Sequence, residues 1–371
     1  MTQFPERQVY CVKNPMKLKS SMKKKILIIL MFTILAISIS ACSGSFSASG
    51  WPGVSGDENS VYVAYANQVY SLRVKDGSLN WRYPEKIEAA RTYYANPAIN
   101  GSNVIVGDYK NTLSALDTKT GSLSWTFNKA TNRYIGGALV VRDTVLAPNA
   151  DHYLYALDLS GNLKWKFKAR QALWSTPVVR DDVIYLSSMD HYLYAINIKS
   201  GELIWEVDLG GAIVYSPSLD SDMIFIATLA NEVVAVKASD GSVIWKNTYE
   251  GGLWSQPVYS EGVVYYGDTA GKIFAVSASD GSLLWDYVMG EMVSGAPVVM
   301  PDGVVFAGEN GKLIALDFDG NILWTRSVTG KLYTGPVVVG KLLVLGISKG
   351  DEVLKAYDFD GNEIWKFTPE K

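Results

Sequence analysis

The chain has 371 residues, 48% hydrophobic and 12% aromatic, which suffices for one large domain or two ordinary ones with a packed core and excludes a disordered or collagen-like chain. Its formal charge is -3, but residues 1–42 hold seven Lys/Arg and one Glu, so the remainder carries 27 basic against 36 acidic groups, or -9. Such an acidic domain is poorly suited to a phosphate backbone, and no nucleic-acid partner is expected. The only two cysteines, Cys11 and Cys42, precede the globular part, so no disulfide, CxxC redox pair or thiolate metal site is expected inside it.

Residues 1–21 contain Pro5, Pro15 and scattered charges ahead of a complete export signal. They are expected to be an extension outside the native protein, with Met22 as its start and Met16 as second choice. Met22-Lys23-Lys24-Lys25 precedes a fourteen-residue apolar run, Ile26 to Ile39, interrupted only by Thr33 and Ser38 and followed by small residues. This is the three-part form of a secretory signal over 22–41. It is shorter than the roughly 20 apolar residues a bilayer-spanning helix needs.

The signal ends in Ile39-Ser40-Ala41-Cys42, which resembles the lipobox of bacterial lipoproteins. That resemblance implies that Cys42 is lipidated on sulfur and becomes the first mature residue. More than one acyl chain makes the anchor stable, since each buried CH2 contributes about 0.8 kcal/mol and a single chain binds only marginally. Residues 43–50 are rich in Gly and Ser, a tether with a random-coil span of about 15 Å. Ser43 follows the cysteine where lipoproteins retained in the inner membrane generally carry Asp, so sorting to an outer membrane is permitted.

From Trp51 onward the sequence repeats. Trp81, Trp125, Trp165, Trp205, Trp245, Trp285, Trp324 and Trp365 are spaced by 44, 40, 40, 40, 40, 39 and 41 residues, a period that marks an array of structural units. Upstream of each stands one phrase, clearest in Leu113-Ser-Ala115-Leu-Asp117-Thr-Lys-Thr-Gly121-Ser-Leu-Ser-Trp125. In the third, seventh and eighth copies the Ala-to-Trp distance is nine rather than ten, as in Ala156-Gly161-Trp165. The missing residue is expected to come out of the turn.

Each unit also has an earlier half. Pro52, Pro97, Pro177, Pro217, Pro257, Pro297 and Pro336 precede short runs of Val, Ile, Tyr and Phe, with Leu139 in place of Pro in the third copy. Asp-Gly pairs at Asp76, Asp240, Asp280, Asp319 and Asp360 are strong hairpin signals. Four strands per unit follow. No sustained 3.6-residue periodicity occurs after Ile39, so essentially no helix is expected in the mature domain.

Eight four-strand units suit radial closure into a propeller, which packs blades face to face and leaves only short edges. The expected fold is therefore all-β, an eight-bladed propeller of four-stranded antiparallel blades over 51–371. Here Ala-x-Asp-x-x-x-Gly-x-x-x-Trp resembles the tryptophan-docking repeat of pyrroloquinoline-quinone-type (PQQ-like) propellers, a likeness that spans Trp51 to Trp365. WD repeats share the period, but their Gly-His element is missing and Trp-Asp occurs only at Trp285-Asp286. The resemblance implies that all eight tryptophans pack between neighbouring blades. Because the first strand begins at Trp51-Pro52 and the last contains Trp365, ring closure is expected to rest on side-chain packing rather than on a shared strand.

Quinone dehydrogenases share this blade, but the resemblance to them stops short of their chemistry. They are longer, hold a calcium through side-chain oxygens, use a catalytic Asp and commonly carry a disulfide of adjacent cysteines, which this chain cannot form. Neither cofactor nor catalytic residue is expected. His152 and His191 occupy equivalent places, Asp151-His-Tyr-Leu-Tyr155 and Asp190-His-Tyr-Leu-Tyr194, where other copies have Asn111, Gly271 and Gly311. They read as turn residues, and with no third nitrogen ligand no metal site is expected. Asp317-Phe-Asp319-Gly-Asn321 and Asp358-Phe-Asp360-Gly-Asn362 lack the full ligand run and terminal Glu of a calcium loop and read as hairpins.

In propellers the inter-blade links and the loops between second and third strands share one face, and loops on a rigid scaffold commonly carry binding. Just before the repeated prolines lie Tyr94, Trp174, Tyr215, Trp254 and Tyr333, aromatics of the type that anchor interfaces, although a repeated position also suits packing at the channel entrance. Arg91, Arg133 and Arg170 enter the second to fourth blades, whereas Glu250 and Glu291 enter the sixth and seventh. If they cluster, a bipolar mouth suits a polypeptide segment or an anionic polymer.

A lipid-anchored, exported propeller with docking repeats throughout resembles the BamB-type scaffold lipoproteins of outer-membrane β-barrel assembly. That resemblance implies a non-catalytic, monomeric propeller that is held to the membrane by its lipid and presents a face to protein partners, one of them a β-barrel assembly protein. In a two-membrane cell it would face the periplasm from the outer membrane; otherwise it would sit on the outer leaflet of the cell membrane. The alternative is a surface receptor for saccharide or peptide at the aromatic mouth.

Overall fold

The computed structural model describes residues 50–220 and 222–370. The expected extension 1–21, signal 22–41, Cys42 and the tether to residue 49 lie outside them. The described residues form eight four-stranded antiparallel sheets, each in simple sequential order, and contain no helix. Blade 1 comprises β1 (Gly53–Gly56), β2 (Ser60–Tyr65), β3 (Gln68–Arg73) and β4 (Leu79–Tyr83). The count runs on to blade 8, with β29 (Val337–Val339), β30 (Leu342–Gly346), β31 (Leu354–Tyr357) and β32 (Glu363–Phe367). First strands ring the axis, since β1 touches the first strands on either side of it. Fourth strands form the outer wall.

The repeat phrase has a direct structural meaning. Its alanine stands opposite the tryptophan in the third-to-fourth ladder, as in Ala115↔Trp125, Ala156↔Trp165 and Ala356↔Trp365, with Ser71 in this role opposite Trp81. A register shift follows it in all eight blades. The small side chain leaves room for the indole, and the bulge adds local twist. Ala faces Trp whether ten or nine residues separate them, so the shorter copies do lose their residue from the hairpin.

Each indole leaves its own blade and lies on the hairpin glycine of the next: Trp81 on Gly121, Trp125 on Gly161, and so round to Trp324 on Gly361 and Trp365 on Gly77. A Cβ added to any of these glycines would lie 2.6 to 2.9 Å from the ring, which no side chain tolerates. Each indole N–H also donates to a carbonyl of that hairpin, at 2.7 to 3.2 Å. Eight hydrophobic clusters fill the eight inter-blade gaps. Between the last and first blades, Val344, Leu354 and Trp365 pack on Val54, Val61 and Leu72, and Trp365 Nε1 donates to Val74 O at 2.7 Å. The ring closes by packing, without strand exchange.

One position is corrected. The third blade's first strand, Leu139–Val141, begins at Leu139, as the other first strands begin immediately after their prolines, for example Val178 after Pro177. Ala138, not Leu139, therefore takes the place of proline. Leu139 is a strand residue, paired with Leu146.

Trp365→Ala is expected to cost about 3–5 kcal/mol of stability in chemical denaturation, through lost transfer and an open cavity. Trp365→Phe, which keeps most of the packing, should cost about 1 kcal/mol for the hydrogen bond. A Trp365→Ala protein as stable as its parent would show that the ring holds without this contact.

The hairpins also contribute acid-sensitive stability. Asp117, Asp158, Asp240 and Asp317 are held below the ordinary carboxylate value by side-chain donors, Thr120, Asn162, Ser242 and Asn321 respectively, and by turn N–H groups. Because the folded-state values are depressed, this stabilisation is complete above the unfolded value of 3.8 and is lost as pH falls through the folded ones. The urea midpoint should therefore hold steady down to that value and fall below it. Asp117→Asn combined with Asp317→Asn should flatten the fall.

Candidate functional site

The face that carries the inter-blade links and the loops between second and third strands is the channel mouth. Its wall is built by local chemistry: seven of the eight first strands are directly preceded by a proline, and Tyr94, Trp174, Trp254 and Tyr333 stand three residues before theirs, Tyr215 two before its own. Trp174 is 37% exposed and Trp254 51%, and neither meets another ring among the described residues. The Trp254 carbonyl accepts from the Tyr215 hydroxyl at 2.7 Å and from Gly295 N at 3.2 Å, which ties three successive links together. Burial pushes the Tyr215 phenol up. Tyr333 is half-buried, with the Lys349 ammonium 6.0 Å from its ring centre.

Tyr94 differs. It is 9% exposed and sits between Trp51, at 5.5 Å between ring centres, and Tyr109, at 4.3 Å. The Arg133 guanidinium lies 5.1 Å from the Tyr109 centre. Sequence reasoning missed Trp51 and Tyr109. Trp51 abuts its proline rather than standing three before it, and Tyr109 lies in a second-to-third-strand loop; that loop's known place on this face was the available signal.

The charges are not alike. Arg91 is 17% exposed, with Nε 3.3 Å from Asp108 Oδ2 and 3.5 Å from Glu88 Oε2. Asp108 is fully buried; burial raises its pKa against the pull of the Thr112 and Lys110 N–H groups and Arg91. Around this pair, Arg91 Nε, Asp108 Oδ2, and the Tyr93 and Tyr134 hydroxyls are buried with no hydrogen-bond partner. Arg170 forks onto Glu206 at 2.6 and 3.0 Å, donates to the Tyr194 hydroxyl at 2.9 Å and stacks on Tyr192. Glu291 accepts the N–H groups of Asn310 and Lys312 at 2.8 and 3.1 Å. Arg133 and Glu250 are exposed and make no ion pair among the described residues. Of the expected bipolar set, Arg91, Arg170 and Glu291 are thus engaged internally.

His152 and His191 have φ of 75° and 78°, beside Asn111 at 65°, Asn231 at 64°, Gly271 at 87° and Gly311 at 98°, so all six close the same left-handed turn. The neighbouring carboxylates are occupied. Asp151 Oδ2 accepts Thr131 N and the Tyr155 hydroxyl, and Asp190 Oδ2 accepts Arg170 N and the Tyr194 hydroxyl. Asp317 and Asp358 each cap their own hairpin through Asn321 and Asn362.

Among the described residues no group of three or more His, Cys, Asp or Glu could hold a metal, and the buried carboxylates Asp108, Asp190 and Asp268 each cap a loop on a different blade. The described residues thus offer no carboxylate cluster of the kind that holds a calcium ion. On the opposite face, a groove of about 530 Å³ between blades 7 and 8 is lined by Pro301, Asp302, Trp324, Arg326 and Phe359.

A family model described as outer membrane protein assembly factor BamB matches residues 40–189, 135–212, 189–295 and 270–371. Among solved structures, BamB from Moraxella catarrhalis is 18% identical with a TM-score of 0.69, covering 83% of this chain and 93% of that one. The computationally designed Ika8 protein is 13% identical with a TM-score of 0.74, covering 84% and 97%. A europium-containing methanol dehydrogenase is 13% identical with a TM-score of 0.68, covering 82% and 85%. At these identities the likeness is one of fold. No curated protein matches the sequence significantly.

Replacing His152 by Gly relieves a left-handed L-residue, worth about 1–2 kcal/mol, against about 0.4–1 kcal/mol of added chain entropy in the unfolded state. His152→Gly and His191→Gly should each leave the urea midpoint unchanged or slightly raised. A clear drop in either would assign the imidazole a partner.

Proposed function

The chain belongs to the family described as outer membrane protein assembly factor BamB, and from that membership we propose that it is a non-catalytic, lipid-anchored scaffold of the cell envelope. It is exported by the signal at 22–41, anchored through acylated Cys42, and presents its mouth to protein partners, with a β-barrel assembly protein foremost. In a two-membrane cell it stands on the periplasmic side of the outer membrane. The observation that carries this reading is the rim: Trp174 and Trp254 are exposed and without ring partners among the described residues, and the link bearing Trp254 is bound to the links on either side of it. Rigid aromatics with few rotatable bonds are the side chains that dominate interface energetics. Arg133, the exposed arginine over Tyr109, adds a cation at the same mouth, and Tyr94, Tyr215 and Tyr333 support the wall.

An exposed indole is also a stacking platform for a sugar ring, and the openness of Trp254 favours the second reading, a receptor for saccharide or peptide. The two readings part in one experiment. Cross-linking followed by pull-down of the lipidated protein from its native membrane should recover a β-barrel assembly protein. Recovery should be lost with Cys42→Ser and should fall by about 30-fold with Trp174→Ala, as expected for a 2 kcal/mol anchor. If no such protein is recovered while oligosaccharides or peptides quench Trp254 fluorescence, the receptor reading replaces the scaffold.

A further inference from the structure

Where the tether leaves the propeller decides which face looks at the membrane. Gly50 is buried between two mouth loops: the Ser348 hydroxyl, from the second-to-third-strand loop of blade 8, donates to its carbonyl at 3.3 Å, and a Cβ on Gly50 would drive into the ring of Tyr94, in the link to blade 2. Three residues later the chain enters β1, one of the strands that ring the axis. The chain is thus pinned at the rim of the channel, on the mouth face.

Eight residue steps separate Gly50 from Cys42, a contour that cannot exceed about 28 Å. To lay the opposite face on the bilayer, the tether would first cross three inter-strand spacings, about 14 Å, and then descend the height of a blade, about 17–20 Å. That path is longer than the tether. An edge-on posture consumes the full relaxed span of about 15 Å, whereas a mouth-down posture consumes none of it.

We infer that the channel mouth faces the membrane that holds the anchor, at a separation no wider than the tether. The partner gripped by Trp174 and Trp254 is consequently a membrane-embedded protein, met from above its own bilayer and not from the open aqueous side. This rests on the anchor at Cys42 proposed above.

The test places a donor dye at either end of blade 5 in the mature, membrane-extracted protein, through Glu250→Cys at the mouth or Ser239→Cys at the opposite end, both exposed sites. The protein is reconstituted into phosphatidylethanolamine/phosphatidylglycerol vesicles bearing a headgroup-linked acceptor. Energy transfer should be higher from position 250, with the two sites differing in distance by roughly a blade height of 17–20 Å. Equal transfer, or more from position 239, overturns the orientation. Insertion of a long Gly/Ser segment before Gly50 should erase the difference; a difference that survives it overturns the tether as its cause. Flotation of the vesicles separates the two ideas: protein that stays behind refutes the anchor and the orientation together, whereas floating protein with equal transfer refutes the orientation alone.

Discussion

The structure depends on one contact, made eight times: an indole from the outer strand of each blade laid on the hairpin glycine of the next. Steric fit and hydrogen bonding act together there. Only a residue without Cβ lets the ring approach to 2.6–2.9 Å of where a methyl would stand, and the ring's N–H then finds a hairpin carbonyl. An aromatic ring brings a large apolar area and a single polar group, so each gap is sealed and its one donor satisfied. Since Trp365 makes the same contact with Gly77, the last gap differs from the others only in spanning 291 residues of sequence.

A ring held in this way frees the mouth from any structural duty beyond joining blades, and its side chains divide accordingly. Tyr94, Trp51 and Tyr109 form one cluster of tilted rings over blades 1 and 2, while Trp174 and Trp254 stand clear. The charges divide too. Arg91 ties its link to the loop at Asp108, and Arg170 ties its link to Glu206 on the outer strand of blade 4, so the field at the mouth is weaker than its composition suggests.

The eight blades, the strand count and the closure by packing were all legible in the sequence, because the tryptophan period is unbroken and a hairpin glycine stands four residues before every tryptophan, five times as Asp-Gly. The reading faltered where local spacing no longer decides structure. Ala138 rather than Leu139 starts the third blade's strand because the register is fixed by the ladder to Leu146, seven residues away and invisible to a pattern built on proline. The arginines looked alike in the links, yet their partners lie 17 residues on at Asp108 and 36 residues on at Glu206. Which charge remains free is a property of loop packing. The histidines were legible for a reason of backbone geometry: they share a turn position with asparagine and glycine, the residues that most readily accept positive φ.

Sequential strand order within every sheet has a consequence for how the molecule is made. All strand pairings of a blade lie within about forty consecutive residues, so a growing chain completes its ladders one unit at a time and carries a low contact order despite being all-β. What must wait is the seam between the first and last blades, since Val74 and Gly77 stay uncovered until Trp365 arrives. Until then the nascent chain is an open arc with two apolar blade faces bare, the species in which neighbouring molecules would join end to end.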